Sequence, residues 1–259
     1  MPNRLVTLSI FAGFLWFGLA PAQAEAWQCH ASSGPTRTAL VELFTSEGCS
    51  SCPPADRWLS ALRTRQDAQP QLAPLAFHVD YWNQLGWQDR FAQPEFTARQ
   101  RWIGRLLRSP TIYTPQFVLD GRDWRPLRNG FADPRRNRTP GADLRLELAA
   151  PADGQLAVVG EARLRARGKD AQLFLALHEN NLSSRIEAGE NAGKLLKHDF
   201  VVRQLLGPFV IPATGVLLFK QVFNLGADWK LADLGVTAFI QSAAGGEVDQ
   251  ALQLPLCRQ

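Results

Sequence analysis

The sequence predicts an α/β N-terminal domain followed by an all-β, sandwich-like C-terminal domain. Three observations carry that expectation. Strand-like runs alternate with helical stripes up to about residue 125, the apolar period switches to about two beyond residue 141, and an Arg-, Pro- and Gly-dense stretch separates the two patterns.

In the first half, Ala39 to Thr45 is a β-rich run and reads as a strand. From Pro53 to Arg65 the spacing of Ala55, Trp58, Leu59 and Leu62 traces one helix face. Leu75 to Val79 centres a second apolar strand. Pro94 suits the first turn of a helix whose face carries Phe96, Trp102, Ile103, Leu106 and Leu107. "YTPQFVLDGR" reads as a third strand closed by a turn at Asp120-Gly121. Residues 122–142 form a closing turn or helix and a linker. Seven runs then alternate at period two: "DLRLELA", "QLAVVGEARL", "AQLFLALHE", "FVVRQLL", "VLLFKQVFNL", "VTAFIQS" and "EVDQALQL". The expected division is residues 36–135 and 141–257.

The beginning of the chain predicts export. Arg4 precedes an apolar run from Leu5 to Leu19, and small residues at Ala22 and Ala24 fit signal-peptide cleavage after residue 24. Removing that leader leaves about 235 residues, long for one domain and comfortable for two. No other segment could cross a bilayer, so no stable membrane span is expected, and the expected location is periplasmic or secreted, where disulfides persist. The chain is 46% hydrophobic, enough to build real cores and to argue against intrinsic disorder. A formal net charge of +4 is mild, and no nucleic-acid-binding motif accompanies it, so no nucleic-acid partner is expected.

Four cysteines remain: Cys29, Cys49, Cys52 and Cys257. An even count in an oxidising compartment predicts two pairs with different tasks. Cys29–Cys257 would be a structural disulfide tying the ends together. Cys49 and Cys52, in "ELFTSEGCSSCPPAD", could be a redox pair, half of a metal site or an inert crosslink. Their context favours redox chemistry. The pair directly follows a strand and opens a helix, the placement a thioredoxin-like redox motif requires. Helix-terminal N–H groups stabilise a thiolate there, and a second sulfur one turn away can displace the first from a mixed disulfide. Pro53 and Pro54 set the helix start at about Cys52 or Pro53, which leaves Cys49 on an exposed loop as the nucleophile and Cys52 as the resolver. Thr114-Pro115, at the mouth of a strand, is expected to be a cis peptide lying against the cysteines, with Pro115 at the catalytic centre and Thr114 presenting backbone to a substrate.

"VELFTSEGCSSCPPAD", "AFHVDYWNQLGWQDRFA", "FTARQRW", "YTPQFVLDG" and "GENAGKLLKHDFVVRQL" together resemble the secreted thioredoxin-like family catalogued as domain of unknown function 1223. The resemblance spans nearly all of the mature chain. It implies a thioredoxin-like N-terminal domain, a β-rich C-terminal domain, and Cys49 and Cys52 in the active-site position. The family's own name leaves its activity open.

Around the pair, His78, Tyr81 and Trp82 end the second strand, where open α/β sheets tend to bind ligands, and are read as a substrate-binding surface; packing of the crossover is the competing reading. Glu42 either assists proton transfer or, more in keeping with its strand phase, pairs with an arginine. Arg99, Arg101, Arg105 and Arg108 read as a solvated basic helix face. The expected function is an exported thiol–disulfide oxidoreductase acting on protein or small-molecule thiols and disulfides, with a reducing or oxidising redox partner and no cofactor. The alternative is a binding protein, either a copper(I) carrier using Cys49, Cys52 and His78 or an envelope-partner module. No resident metal is assigned, because structural zinc needs four ligands and no second cysteine pair is present.

Overall fold

The structure, a computed structural model, describes residues 27–65, 72–126, 139–166, 168 and 170–257. The expected signal peptide and most of the expected linker lie outside them. In chain order the elements are β1 (Trp27–Ser32), β2 (Ala39–Thr45), α1 (Pro53–Ser60), α2 (Leu62–Arg65), β3 (Leu72–His78), α3 (Pro94–Leu106), β4 (Gln116–Leu119) and β5 (Arg122–Trp124). Then follow β6 (Ala142–Ala149), β7 (Gln155–Leu164), β8 (Ala171–Glu179), β9 (Leu182–Arg185), β10 (Leu195–His198), β11 (Val201–Val210), β12 (Val216–Asn224), β13 (Leu234–Ser242) and β14 (Val248–Pro255). Each of the seven period-two runs is a strand. No helix among the described residues is long and apolar enough to cross a membrane.

The expected fold class is corrected. The protein is mostly β, and its first half is not an α/β thioredoxin-like domain standing beside a separate sandwich. One eight-stranded mixed sheet, ordered β14-β13-β8-β11-β3-β2-β4-β5, runs through both halves. The junction is β11 against β3: Val201 pairs with Ala76 in parallel, and the Ala76 N–H donates to the Phe200 carbonyl at 2.8 Å. The physical reason is the edge of β3. A β2-β3 parallel pair alone would leave that edge with unpaired backbone groups, and β11 covers it. Only β1, β6, β7 and β12 form the second, four-stranded antiparallel sheet, and β9 and β10 make a separate hairpin.

Three apolar clusters hold these layers. The four-stranded sheet packs Leu144, Leu146, Val158 and Phe223 against Leu173, Leu175, Leu177 and Val236. On the opposite face of the large sheet, α3 seats Phe96 and Ile103 over Phe44, Phe77, Phe174 and Phe239. The Phe77 ring lies 5.5 Å from Phe44 and 5.3 Å from Phe96, and burying each such ring contributes about 1.5–3 kcal/mol. The helix α1 sits on the face that also carries the small sheet, with Ala55 and Leu59 against Val41, Leu43, Phe117 and Phe200. This packing orients the strands. Residues 41, 43 and 45 of β2 look toward α1, while Leu40, Glu42 and Phe44 look toward α3.

The basic-face reading of α3 is corrected at one position. Arg101, Arg105 and Arg108 are exposed, but Arg99 is buried, and its Nε donates to Glu42 while its Nη2 donates to Gln241 at 3.0 Å. The Arg99 guanidinium also lies 4.9 Å from the Phe239 ring centre. Glu42 therefore has the structural arginine partner, on the sheet face away from α1.

The two ends of the described chain meet. The Cys257 N–H reaches the Cys29 Sγ at 3.2 Å, with Cys29 on β1 and Cys257 just past β14. The two residues stand as free thiols in contact rather than as a bridge. Burial, together with the neighbouring Cys257, pushes the Cys29 thiol up to about 11.

Candidate functional site

The site starts from a parallel pair. β2 and β3 run side by side with Thr45 opposite His78, so both C-terminal ends open on the same edge. In open sheets this is where reactive groups are displayed. The chain leaves β2 through a tight loop, Ser46 to Ser51, and enters α1 with Cys52 as the N-cap and Pro53 at the first helical position. The Cys52 N–H donates to the Cys49 carbonyl at 3.2 Å, and the Ala55 N–H to the Cys52 carbonyl at 2.8 Å. Cys49 and Cys52 are joined by a disulfide across 5.4 Å between their Cα atoms. The expected helix start is where the sequence places it.

The expected exposure of Cys49 is not. Both cysteines are buried, while Ser50 and Ser51 between them are exposed. The loop is held from two sides. A β-carbon at Gly48 would sit 3.3 Å from Trp82 Cβ, so the loop backbone lies flush on Trp82. Trp82 Nε1 in turn donates to Thr114 Oγ1 at 2.8 Å, and the Thr114–Pro115 peptide is cis. From the other side comes a strap, residues 186–194, between β9 and β10. The Asn191 amide, fully buried, donates to the carbonyls of Glu47 at 2.8 Å and Cys49 at 3.0 Å. Glu190 accepts the Ser50 N–H at 3.0 Å, and Lys194 braces Asn191 at 2.8 Å.

Below the loop lies a cluster of five ionisable side chains: Glu47, Asp56, His78, Asp89 and His198, none more than 6% exposed. His78 Nδ1 sits 2.7 Å from Asp89 Oδ2, which also accepts the Glu47 N–H at 2.9 Å. Glu47 accepts the Trp87 indole N–H at 2.8 Å and has His198 Nε2 within ion-pair reach at 3.3 Å, off the line of a hydrogen bond. The two imidazoles meet edge to face at 5.0 Å. Thr45 Oγ1 donates to Asp56 Oδ1 at 2.8 Å. Glu47 Oε1, His78 Nε2 and both ring nitrogens of His198 are buried without a hydrogen-bond partner among the described residues.

Electrostatics divides the cluster. Burial raises the Asp56 carboxyl above its usual range, only partly offset by the His198 and His78 charges and the Thr45 hydroxyl. Burial also opposes ionisation of Asp89, but the charge and hydrogen bond of His78 win and hold it low. His78 is raised in turn, with burial outweighed by Asp89. For Glu47, burial is outweighed by the contacts of His198 and Trp87, which hold it low.

His78 is thus corrected from a recognition surface to a buried group beneath the pair. Tyr81 and Trp82 remain half-buried; the Tyr81 hydroxyl donates to Gln100 at 3.2 Å and lines a groove of about 620 Å³ with Asp80, Thr97 and Arg101. Among the described residues, no three or more His, Cys, Asp or Glu side chains are grouped to hold a metal ion. Sequence reasoning missed Asp56, Asp89, His198, Glu190 and Asn191 as site residues. Asp56 stands four residues after Cys52, one turn along the same helix. The other contacts come from loops whose approach no local pattern encodes.

Residues 40–241 match the family described as "Protein of unknown function (DUF1223)", and the chain belongs to that family. Among solved structures it is similar to a protein from Agrobacterium tumefaciens, with 22% identity, TM-score 0.57, and coverage of 88% of this chain and 98% of that one. It is also similar to HBP35 of Porphyromonas gingivalis, with 20% identity, TM-score 0.64, and coverage of 86% of this chain and 76% of that one. At these identities the likeness is one of fold. No curated protein matches the chain.

Proposed function

We propose that Cys49 and Cys52 form a reversible thiol–disulfide couple in an exported protein, acting on protein or small-molecule thiols and disulfides. The observation that carries this reading is the position of the disulfide: at the N-terminus of α1, on the C-terminal edge of β2 and β3, directly above a buried cluster that can hold and release protons. A helix N-terminus stabilises the thiolate that exchange needs, and an inert crosslink has no use for ionisable groups packed beneath it. Export is supported by the leader pattern of Arg4, Leu5–Leu19 and Ala22-Gln-Ala24.

Exchange proceeds by attack of a partner thiolate on one sulfur, release of the other, and resolution of the mixed disulfide. Cys49 precedes the helix and is the sulfur attacked; Cys52, the N-cap, is the one released and later the resolver. Because both are covered, the loop moves off Trp82 or the strap before a partner enters. The test is trapping. Cys52→Ser is expected to accumulate mixed disulfides with thiol partners, and Cys49→Ser almost none. Equal absence of trapped species from both variants contradicts the reading.

A further inference from the structure

The disulfide sits over a cluster with an odd composition. Three carboxyls, Glu47, Asp56 and Asp89, face two imidazoles, His78 and His198, all within the same buried volume. Ionising all three carboxyls would crowd more negative charge into this volume than the two imidazoles can match, which is unfavourable away from water. A carboxyl that keeps its proton relieves that excess.

The geometry says which carboxyl. Asp89 is tied to His78 and to two backbone N–H groups, those of Glu47 and Phe91, and Glu47 is tied to Trp87 and lies against His198. Asp56 has one hydroxyl donor, Thr45. Burial raises its carboxyl, in keeping with that poverty of donors. Asp56 also has a route to water. It lines a cavity of about 160 Å³ between α1 and β10, with Pro53, Arg57, Leu195, Leu196 and Lys197 as the remaining wall. Its own N–H donates to the Cys52 carbonyl at 3.1 Å, so it lies one helical turn from the buried sulfur.

We propose that Asp56 is the proton-exchanging group of the Cys49–Cys52 couple, connected to solvent through the cavity between α1 and β10. The proposal rests on the exchange reading above and adds the fate of the proton. An external thiolate attacks Cys49 Sγ, forming a new S–S bond as the Cys49–Cys52 bond breaks. Cys52 leaves with the electron pair and takes the proton held by Asp56, giving the Cys52 thiol and an Asp56 carboxylate that regains a proton from water through the cavity. In the reverse direction Asp56 first releases its proton to water in the cavity, and its carboxylate then accepts the Cys52 proton as that sulfur attacks the mixed disulfide and expels the partner thiolate. Proton transfer between Asp56 and Cys52 runs through water entering the cavity. Besides Thr45, the groups facing Asp56 are His78 from β3, His198 and Lys197 from β10, Arg57 from α1, and Asp89 from the loop after β3.

The test is the rate of reduction of the full chain by dithiothreitol from pH 5 to pH 9, expressed per reductant thiolate. The wild type is expected to fall by about a hundredfold as pH rises through the Asp56 titration, the usual scale for loss of a general acid. Asp56→Asn should be slow and flat across the range. Thr45→Val, which removes the one donor that favours the Asp56 carboxylate, should move the falling edge to higher pH. That second variant decides the matter if Asp56→Asn does not fold. A uniform slowing with the edge unmoved in both variants would make Asp56 merely structural and overturn the proposal. A wild type that dithiothreitol cannot reduce at any pH would instead overturn the exchange reading, and the proton assignment with it.

Discussion

Arg99 illustrates how a single residue can be misassigned by pattern alone. Four arginines at positions 99, 101, 105 and 108 read as one solvated face, yet Arg99 turns inward to Glu42 and Gln241 among Phe77, Phe174 and Phe239. Removing one partner of such a buried pair leaves the other charge without compensation. Arg99→Ala is therefore expected to lower stability by about 3–5 kcal/mol in denaturant unfolding. Because Glu42 and Arg99 lie on the α3 face, away from α1, exchange by the folded fraction should be unchanged. A substitution that left stability intact but slowed exchange would contradict this separation of faces. Glu42 was legible in part, since strand alternation put it out of phase with the cysteine side. Asp56 was harder to read, because an acid in a first helical turn is ordinarily a favourable surface charge rather than a buried one.

At the scale of elements, the strap between β9 and β10 carries the most consequence. It closes the cysteine loop with three hydrogen bonds, two from Asn191 and one to Glu190. Asn191→Ala removes both amide hydrogen bonds to the loop; the Cys49 carbonyl keeps the Cys52 N–H, and the Glu47 carbonyl loses its Asn191 donor, at a cost of about 1–3 kcal/mol. If the strap limits access, this variant should be reduced by dithiothreitol several-fold faster than the wild type at the same pH. An unchanged rate would assign the barrier to the Trp82 side of the loop instead. The strand elements themselves were legible, and some carried more information than was drawn from them. β8 and β13 are buried at nearly every position, as strands covered on both faces are, whereas β6 and β12 alternate. "AQLFLALHE" and "VTAFIQS", grouped above with the alternating runs, are nearly continuous in apolar residues, the pattern of strands covered on both faces. The strap, by contrast, has no periodic signature and could not be placed.

At the scale of the whole molecule, the two halves are one structure. The large sheet passes from β3 to β11 without a break, and residues of both halves build the site: Cys49, Cys52, Asp56 and His78 from the first, Glu190, Asn191 and His198 from the second. The sequence showed where the pattern changes but not that the strands on either side share a sheet, because alternation reports faces and not strand order. The ends of the described chain are close as well, with Cys29 against Cys257. We propose that in an oxidising compartment these two thiols close into a bridge distinct from the working pair. The central claim, a reversible couple at Cys49 and Cys52, is tested most directly by non-reducing peptide mapping of the folded protein across a series of thiol-to-disulfide ratios. The account predicts that the Cys49–Cys52 link opens and re-forms reversibly with the ratio while Cys29 stays paired with Cys257. A Cys49–Cys52 link that persists until the protein unfolds, or Cys29 found joined to Cys49 or Cys52, would contradict it.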